Sequence, residues 1–205
     1  MRTSISFPQV AKLHNTLVEK GVTPKLLQDC LLGDGIMSDI AEAMVAETLP
    51  SRDEFRKVLG LGPIALKIVI DYSMTLADMI EAGRYDWKSD NITEKHFPHS
   101  EMGKVRWQRD VQLIHFNRII SSDDVEKELD KMGLRPGMIE ELLAFGATFP
   151  ETQRKFPVVA LGSVAETDGG RLVTGLGMGG SGRRLYLSWR GIDRDEVCRF
   201  LALRK

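Results

Sequence analysis

The sequence predicts an α+β protein in which short helices come first and antiparallel strands come last. Two observations support this prediction. Apolar residues recur at helical spacing through the first sixty residues, whereas the C-terminal part alternates apolar with polar residues between glycine-rich turns. Helices and strands that are segregated along a chain are typical of the α+β class.

The N-terminal segment predicts four short helices, at residues 7–20, 24–31, 36–48 and 51–60. Gly21 stands where the first helix should end. Thr23–Pro24 combines an N-cap residue with a first-turn proline, which begins the second helix. Ser51–Glu54 has the spacing of a capping box and begins the fourth. A small helical bundle or cap is therefore expected here.

Gly60–Pro63 is the best domain boundary in the sequence, because glycine and proline interrupt regular structure. We expect a helical region at 1–62 and an α+β domain at 63–205. In the second domain we predict helices at 74–82, 121–131 and 138–149, with Ser121 or Ser122 capping the second of them. The strands are predicted at 66–71, 111–116, 157–164, 171–174, 184–190 and 198–203.

The strand at 184–190 has the clearest alternation. Leu185, Leu187 and Trp189 alternate with Arg184, Tyr186, Ser188 and Arg190. Successive side chains of a strand point to opposite faces, so the first set is expected in a core and the second at the surface. The surface set mixes charge, an aromatic ring and a hydroxyl, which is more typical of a binding surface than of a solubilising one.

A glycine-rich segment, Gly175–Gly180, matches the pattern G-x-G-x-x-G. Dinucleotide binding by this pattern needs a helix that begins at the loop and points its N-terminus at the pyrophosphate. Here the segment leads into a strand. We therefore interpret it as a loop between two strands and expect no cofactor.

Composition argues against several classes of protein. The chain has 205 residues, 42% of them hydrophobic, and a net charge of −1, which gives no general attraction to nucleic acid or anionic membranes. No run of apolar residues is long enough to predict a transmembrane span. Cys30 and Cys198 are far apart in sequence. Two free thiols suit a reducing compartment, so a cytoplasmic location is expected.

No motif predicts an enzyme. The pair His96 and His99 lacks the three or four ligands that a metal site needs. His115 lies in an apolar strand and is interpreted as a core histidine. No serine has the context of a nucleophile elbow. We expect no catalytic residue, no metal and no cofactor.

The C-terminal end is locally basic, and this supports an alternative function. Eight basic residues, Arg171, Arg183, Arg184, Arg190, Arg194, Arg199, Arg204 and Lys205, stand against three acids, Asp193, Asp195 and Glu196. With Tyr186 and Trp189 nearby, they could form a surface that follows phosphates and stacks on bases. The alternative hypothesis is therefore a nucleic-acid-binding protein.

Four segments, Asp71–Ile80, Glu141–Gly146, Phe156–Val164 and Cys198–Lys205, resemble a family of uncharacterised bacterial proteins. The resemblance extends from about residue 66 to the end and implies no activity. The order of elements and the closing Arg-Phe-Leu-Ala-Leu-Arg also resemble C-type-lectin-like domains related to formylglycine-generating enzymes. The chemistry of those enzymes needs a cysteine pair, and this domain has only Cys198. The variable proteins of diversity-generating retroelements share that fold and randomise C-terminal surface residues.

Together, the alternation and the resemblance predict a non-enzymatic ligand-binding protein with a C-type-lectin-like domain. The partner is expected to be a protein or another macromolecule, and the helical region could supply a homo-oligomer contact. Adenine-directed randomisation of asparagine codons permits every residue of the expected ligand-binding surface but not Trp189, Met178 or Glu196, which would be scaffold. That surface comprises Leu176, Ser181, Arg184, Tyr186, Ser188, Arg190, Ile192, Arg194 and Cys198.

Overall fold

A computed structural model describes residues 7–28, 36–46, 48, 65–98, 105–180 and 182–205. The chain divides into two compact units, residues 1–59 and 60–205. The boundary predicted after residue 62 falls outside the described residues and stays a prediction, as does the helix predicted at 51–60.

The first unit is helical where it is described. Its helices are α1 (Phe7–Glu19), α2 (Pro24–Leu27) and α3 (Ile36–Val45), which confirms three of the predicted helices. Gly21 ends α1 with a φ of 73°, and Val22 N donates to Leu17 O at 3.0 Å. A positive φ at this position is what glycine supplies at a helix C-terminus.

The second unit is a mixed α+β structure built on a large and mostly antiparallel sheet. Its helices are α4 (Leu76–Ala82), α5 (Ser122–Lys131) and α6 (Ile139–Thr148). Its strands are β1 (Leu66–Asp71), β2 (Trp87–Lys88), β3 (Arg106–Ile114), β4 (Leu134–Pro136), β5 (Val158–Thr167), β6 (Gly170–Gly179), β7 (Gly182–Trp189) and β8 (Arg199–Arg204). The α+β class is confirmed.

The described strands form one sheet with the order β1-β3-β8-β5-β6-β7-β2, and β4 also pairs with β8. Two of the pairings, β5 with β8 and β2 with β7, are parallel, and the other pairings are antiparallel. The final strand β8 therefore lies in the middle of the sheet, between β3 and β5.

Helices cover both faces of the sheet. On one face, α6 buries Leu142, Leu143 and Phe145 in the larger apolar core, which α4 also joins. On the other face, α5 buries Val125 and Leu129 in a second apolar core. Burial of side chains this size contributes about 1.5–3 kcal/mol each, so the two cores stabilise a three-layer arrangement.

The glycine-rich segment is a strand rather than the predicted loop. Residues 170–179 form β6 and pair with β7 from Leu172 to Gly179. The glycines at 175, 177 and 179 fall on one face, and a methyl group at Gly175 would lie 2.6 Å from Cζ of Tyr186. The glycines are therefore explained by the side chains of β7 that cross over them, and the strand continues to Gly179.

Candidate functional site

Strand β7 is paired with β6 along its whole length, whereas the described residues cover its outer side only with the short edge strand β2. Asp86 N and Ser89 N donate to the carbonyls of Arg183 and Leu185 at 3.0 Å each. Since main-chain groups alternate sides along a strand, Leu187 and Trp189 also point outward. Within the described residues, no partner reaches Leu187 N–H, Leu187 C=O or Trp189 N–H.

The alternation predicts that Tyr186 is displayed to solvent, but the structure packs its ring against the sheet. Its ring lies across Gly175 and Gly177, whose missing side chains leave the space it fills. Burial raises the pKa of the Tyr186 phenol to about 12, while the nearby Arg194 acts in the opposite direction. Tyr186 is on the predicted face, but the ring packs against that face instead of standing out from it.

Arg194 is buried, at 4% exposure, which corrects its expected place on the surface. Its guanidinium donates to Ser188 Oγ at 2.6 Å and to Trp189 O at 2.8 Å. Burial lowers the pKa of this guanidinium. Ser188 is likewise occupied by this contact, so both residues fix the loop that follows β7.

Arg190 is also internal, with 13% of its side chain exposed. It bonds Asp123 at 2.6 Å and Glu126 at 2.8 Å, both on α5. These carboxylates raise the pKa of Arg190, Asp123 contributing most. The expectation of a free surface arginine is wrong here because Arg190 joins β7 to α5.

The other expected binding residues differ in how far they are exposed. Leu176 is fully buried in the larger core, which is wrong for a display position. Cys198 is half-buried, and burial raises the pKa of its thiol. Ser181 lies outside the described residues. Arg184 and Ile192 are exposed as expected.

The apolar face of β7 is confirmed for Leu185, which is buried, and for Leu187, which packs against the larger core. Trp189 differs, because 46% of it is exposed. It is the last residue of β7, and its ring lies against Gly169. Trp189 is therefore available to a partner, although it is on the same face of β7 as the buried Leu185.

Trp87 is a surface residue that the sequence analysis missed. It is 47% exposed and pairs with Arg184 across β2 and β7. The guanidinium of Arg184 lies 5.4 Å from the centre of the Trp87 ring, within the range of a cation–π contact. The nearest sequence signal was its place in a polar and aromatic segment, which does not reveal a pairing with β7.

Arg183 is a buried arginine, 6% exposed, that the sequence analysis placed in a basic patch. It donates to Gly83 O and Gly146 O at 2.8 Å each, and to Gln153 Oε1 at 3.0 Å. Arg183 is on the same face of the strand as Leu185 and Leu187, and this alternation could have predicted its burial. Within the basic segment 183–194, Arg183 and Arg194 are buried and Arg190 is paired, whereas Arg184 is exposed.

Other classes of site have little support among the described residues. No group of three or more His, Cys, Asp or Glu side chains could hold a metal ion there. His115 Nε2 bonds Glu196 O at 2.6 Å, so this histidine has a structural partner. In the same residues, no helix is long and apolar enough to cross a membrane.

Comparison with known proteins gives no relative. No protein-family model, no curated protein and no solved structure matches this chain. The outer edge of β7 and the two tryptophans beside it are therefore the candidate site.

Proposed function

We propose that the protein is a non-enzymatic binding protein that recognises an extended segment of a partner protein at the outer edge of β7. The observation that carries this proposal is the set of main-chain groups at Leu187 and Trp189 that point outward without a partner among the described residues. An extended peptide can pair with such an edge through its own main chain, and pockets or rings beside the edge then supply specificity.

Trp87 and Trp189 support the proposal, because both are about half exposed and lie at either end of β7. Tryptophan and arginine are enriched among residues that dominate binding energy. Arg184 adds a cation that already contacts the Trp87 ring. The edge is therefore flanked by the side-chain types that anchor a protein partner.

Three finer statements stay proposals, two of them from the resemblance and one, the location, from the two cysteines. We keep the C-type-lectin-like assignment and the cytoplasmic location as proposals. Diversification by a retroelement is proposed only for surface positions such as Arg184 and Ile192, since changes at the buried Leu176 and Arg194 would damage the fold. A reverse transcriptase gene and a near-repeat of the coding end beside this gene would support it, and their absence would remove it.

Peptide binding is tested by panning a linear-peptide phage library on the full chain. We expect the selected peptides to bind Trp87→Ala and Trp189→Ala at least about tenfold more weakly, a loss of about 1.4 kcal/mol. Val69→Ala is the matched control, because Val69 is as exposed as Trp189, at 46%, but lies on β1 at the opposite edge of the sheet.

Hydrogen exchange identifies the mode of binding. With a selected peptide bound, the amides of Leu187 and Trp189 should become protected, because they gain acceptors. The proposal fails if no peptide is selected, if binding ignores both tryptophan variants, or if these amides exchange equally fast with and without peptide.

A further inference from the structure

A cavity of about 730 Å³ lies on the other side of β2, between α4 and the segment that follows β2. Its floor is apolar and includes the buried side chains of Leu76, Ile80 and Ile92. This volume is within the range of about 300–1,000 Å³ in which proteins bind small ligands. Its lining includes neither Leu187 nor the two tryptophans of the site proposed above.

The rim carries charges of both signs. Arg84 and Lys88 supply two cations, and Glu81 and Glu94 supply two carboxylates. In the part of the chain that the structure describes, none of the four forms an ion pair, although Glu81 and Arg84 are only three residues apart. The lining therefore offers separate partners to a cation and to an anion.

Arg84 has a backbone conformation that is unusual for its residue type. It follows Gly83 at the end of α4 with a φ of 47°, in the left-handed region that glycine or asparagine normally occupies. Local strain of this kind is concentrated at functional sites. An arginine at this position is explained if its guanidinium binds an anionic group of a ligand at the rim.

We infer that this cavity binds a short apolar peptide with free termini. The apolar floor would receive the side chains, Arg84 and Lys88 the carboxylate, and Glu81 and Glu94 the ammonium group. A peptide of this kind matches the lining in size, in polarity and in having one charge of each sign. A fatty acid would pair only with the two cations of the rim, and an alkyl amine only with the two carboxylates.

Calorimetry with the full chain and the tripeptide Leu-Ala-Leu tests this inference. We compare the free peptide with its N-acetylated, C-amidated and doubly blocked forms. The free peptide should bind at least about tenfold more tightly than the doubly blocked form, since charged hydrogen bonds are lost with the termini. Octanoate and octylamine are the single-charge probes and should bind more weakly than the free peptide.

Two variants connect the effect to the cavity. Arg84→Gly should weaken binding of the free peptide about tenfold but leave binding of the C-amidated peptide unchanged, because the two changes remove the same contact. Its unfolding midpoint should rise, since glycine adopts a positive φ without strain. Ala77→Leu should place three additional carbon atoms in the cavity and weaken binding, whereas Ala147→Leu, also exposed but on α6, should not.

The inference is overturned if Leu-Ala-Leu shows no saturable binding, or if the blocked and free peptides bind equally. It is also overturned if the effects of Arg84→Gly and C-amidation simply add. Loss of peptide selection at the edge of β7 does not bear on these measurements, so the two proposals can fail separately.

Discussion

Glycines at alternate positions of β6 determine how the side chains of β7 are arranged. Glycine weakens a strand, because it has no side chain to pack and loses more conformational freedom on folding. The Tyr186 ring compensates by covering Gly175 and Gly177. Aromatic cover over a cross-strand glycine stabilises a sheet and fixes its register.

The first prediction follows from this packing. Tyr186→Ala should lower the free energy of unfolding by about 3 kcal/mol, because it removes a ring that is packed across two glycines. Trp189→Ala should lower it by less than about 1 kcal/mol, because nearly half of that side chain is exposed. Urea unfolding measured by circular dichroism compares the two variants. Equal losses, or a larger loss for Trp189→Ala, would contradict the packing described.

Periodicity in the sequence predicted which residues of β7 share a face, but not what covers each face. Leu185 is buried as predicted because its face meets the larger core. Trp189 has the same parity but is 46% exposed at the end of the strand. Tyr186 is covered because β6 has glycines opposite it. Coverage depends on neighbours distant in sequence, so alternation alone cannot supply it.

Helices α4 and α6 are joined to β7 by Arg183. Its guanidinium bonds Gly83 O at the C-terminus of α4 and Gly146 O in α6. The C-terminal end of a helix carries partial negative charge, which favours a cation. A buried arginine with carbonyl partners thus takes the place of apolar packing where the two helices meet the sheet.

The second prediction concerns this junction. Arg183→Met should lower the free energy of unfolding by about 3 kcal/mol, because it leaves two buried carbonyls and Gln153 without their donor. Arg184→Met is the matched control and should change it by less than about 0.5 kcal/mol, since Arg184 is exposed. Urea unfolding of both variants provides the measurement. A small effect of Arg183→Met would show that the helices do not need the guanidinium.

The helices and most strands were predictable, because each follows from local periodicity and capping residues. Ser121 caps α5 as predicted, and its hydroxyl accepts from Asp124 N at 3.2 Å. Arg183 was not predictable in the same way, since the carbonyls of Gly83 and Gly146 are 100 and 37 residues away. The candidate edge of β7 also depends on β2, whose two residues carry no strand pattern of their own.

All three tyrosines of the chain have a pKa above the ordinary value for a tyrosine. Burial raises the pKa of Tyr72, with smaller contributions from Glu141 and Glu140. Burial also raises the pKa of Tyr85, and it raises that of Tyr186 to about 12. The folded protein therefore holds these phenols neutral at a pH at which an unfolded chain, with a tyrosine pKa near 10, releases their protons.

The third prediction is alkaline unfolding. A raised tyrosine pKa contributes stability that is complete below about pH 10 and is lost as the pH rises towards about 12, because the unfolded chain then binds fewer protons than the folded one. Phenolate absorbance and circular dichroism should therefore change together above about pH 10. Tyr186→Phe should reduce this dependence on pH. Tyrosine ionisation at pH 10 without unfolding would contradict it.

The central place of β8 has a consequence for synthesis on the ribosome. The strands between residues 66 and 114 and those between residues 158 and 189 are joined across Arg199–Arg204. A nascent chain can form the β5–β6–β7 hairpins early, but it cannot close the sheet until the last of these residues has emerged. Until then both halves expose unpaired strand edges, which are prone to aggregate. A stalled or truncated product ending before residue 199 should therefore depend on chaperones to stay dispersed, whereas a product that includes β8 should not.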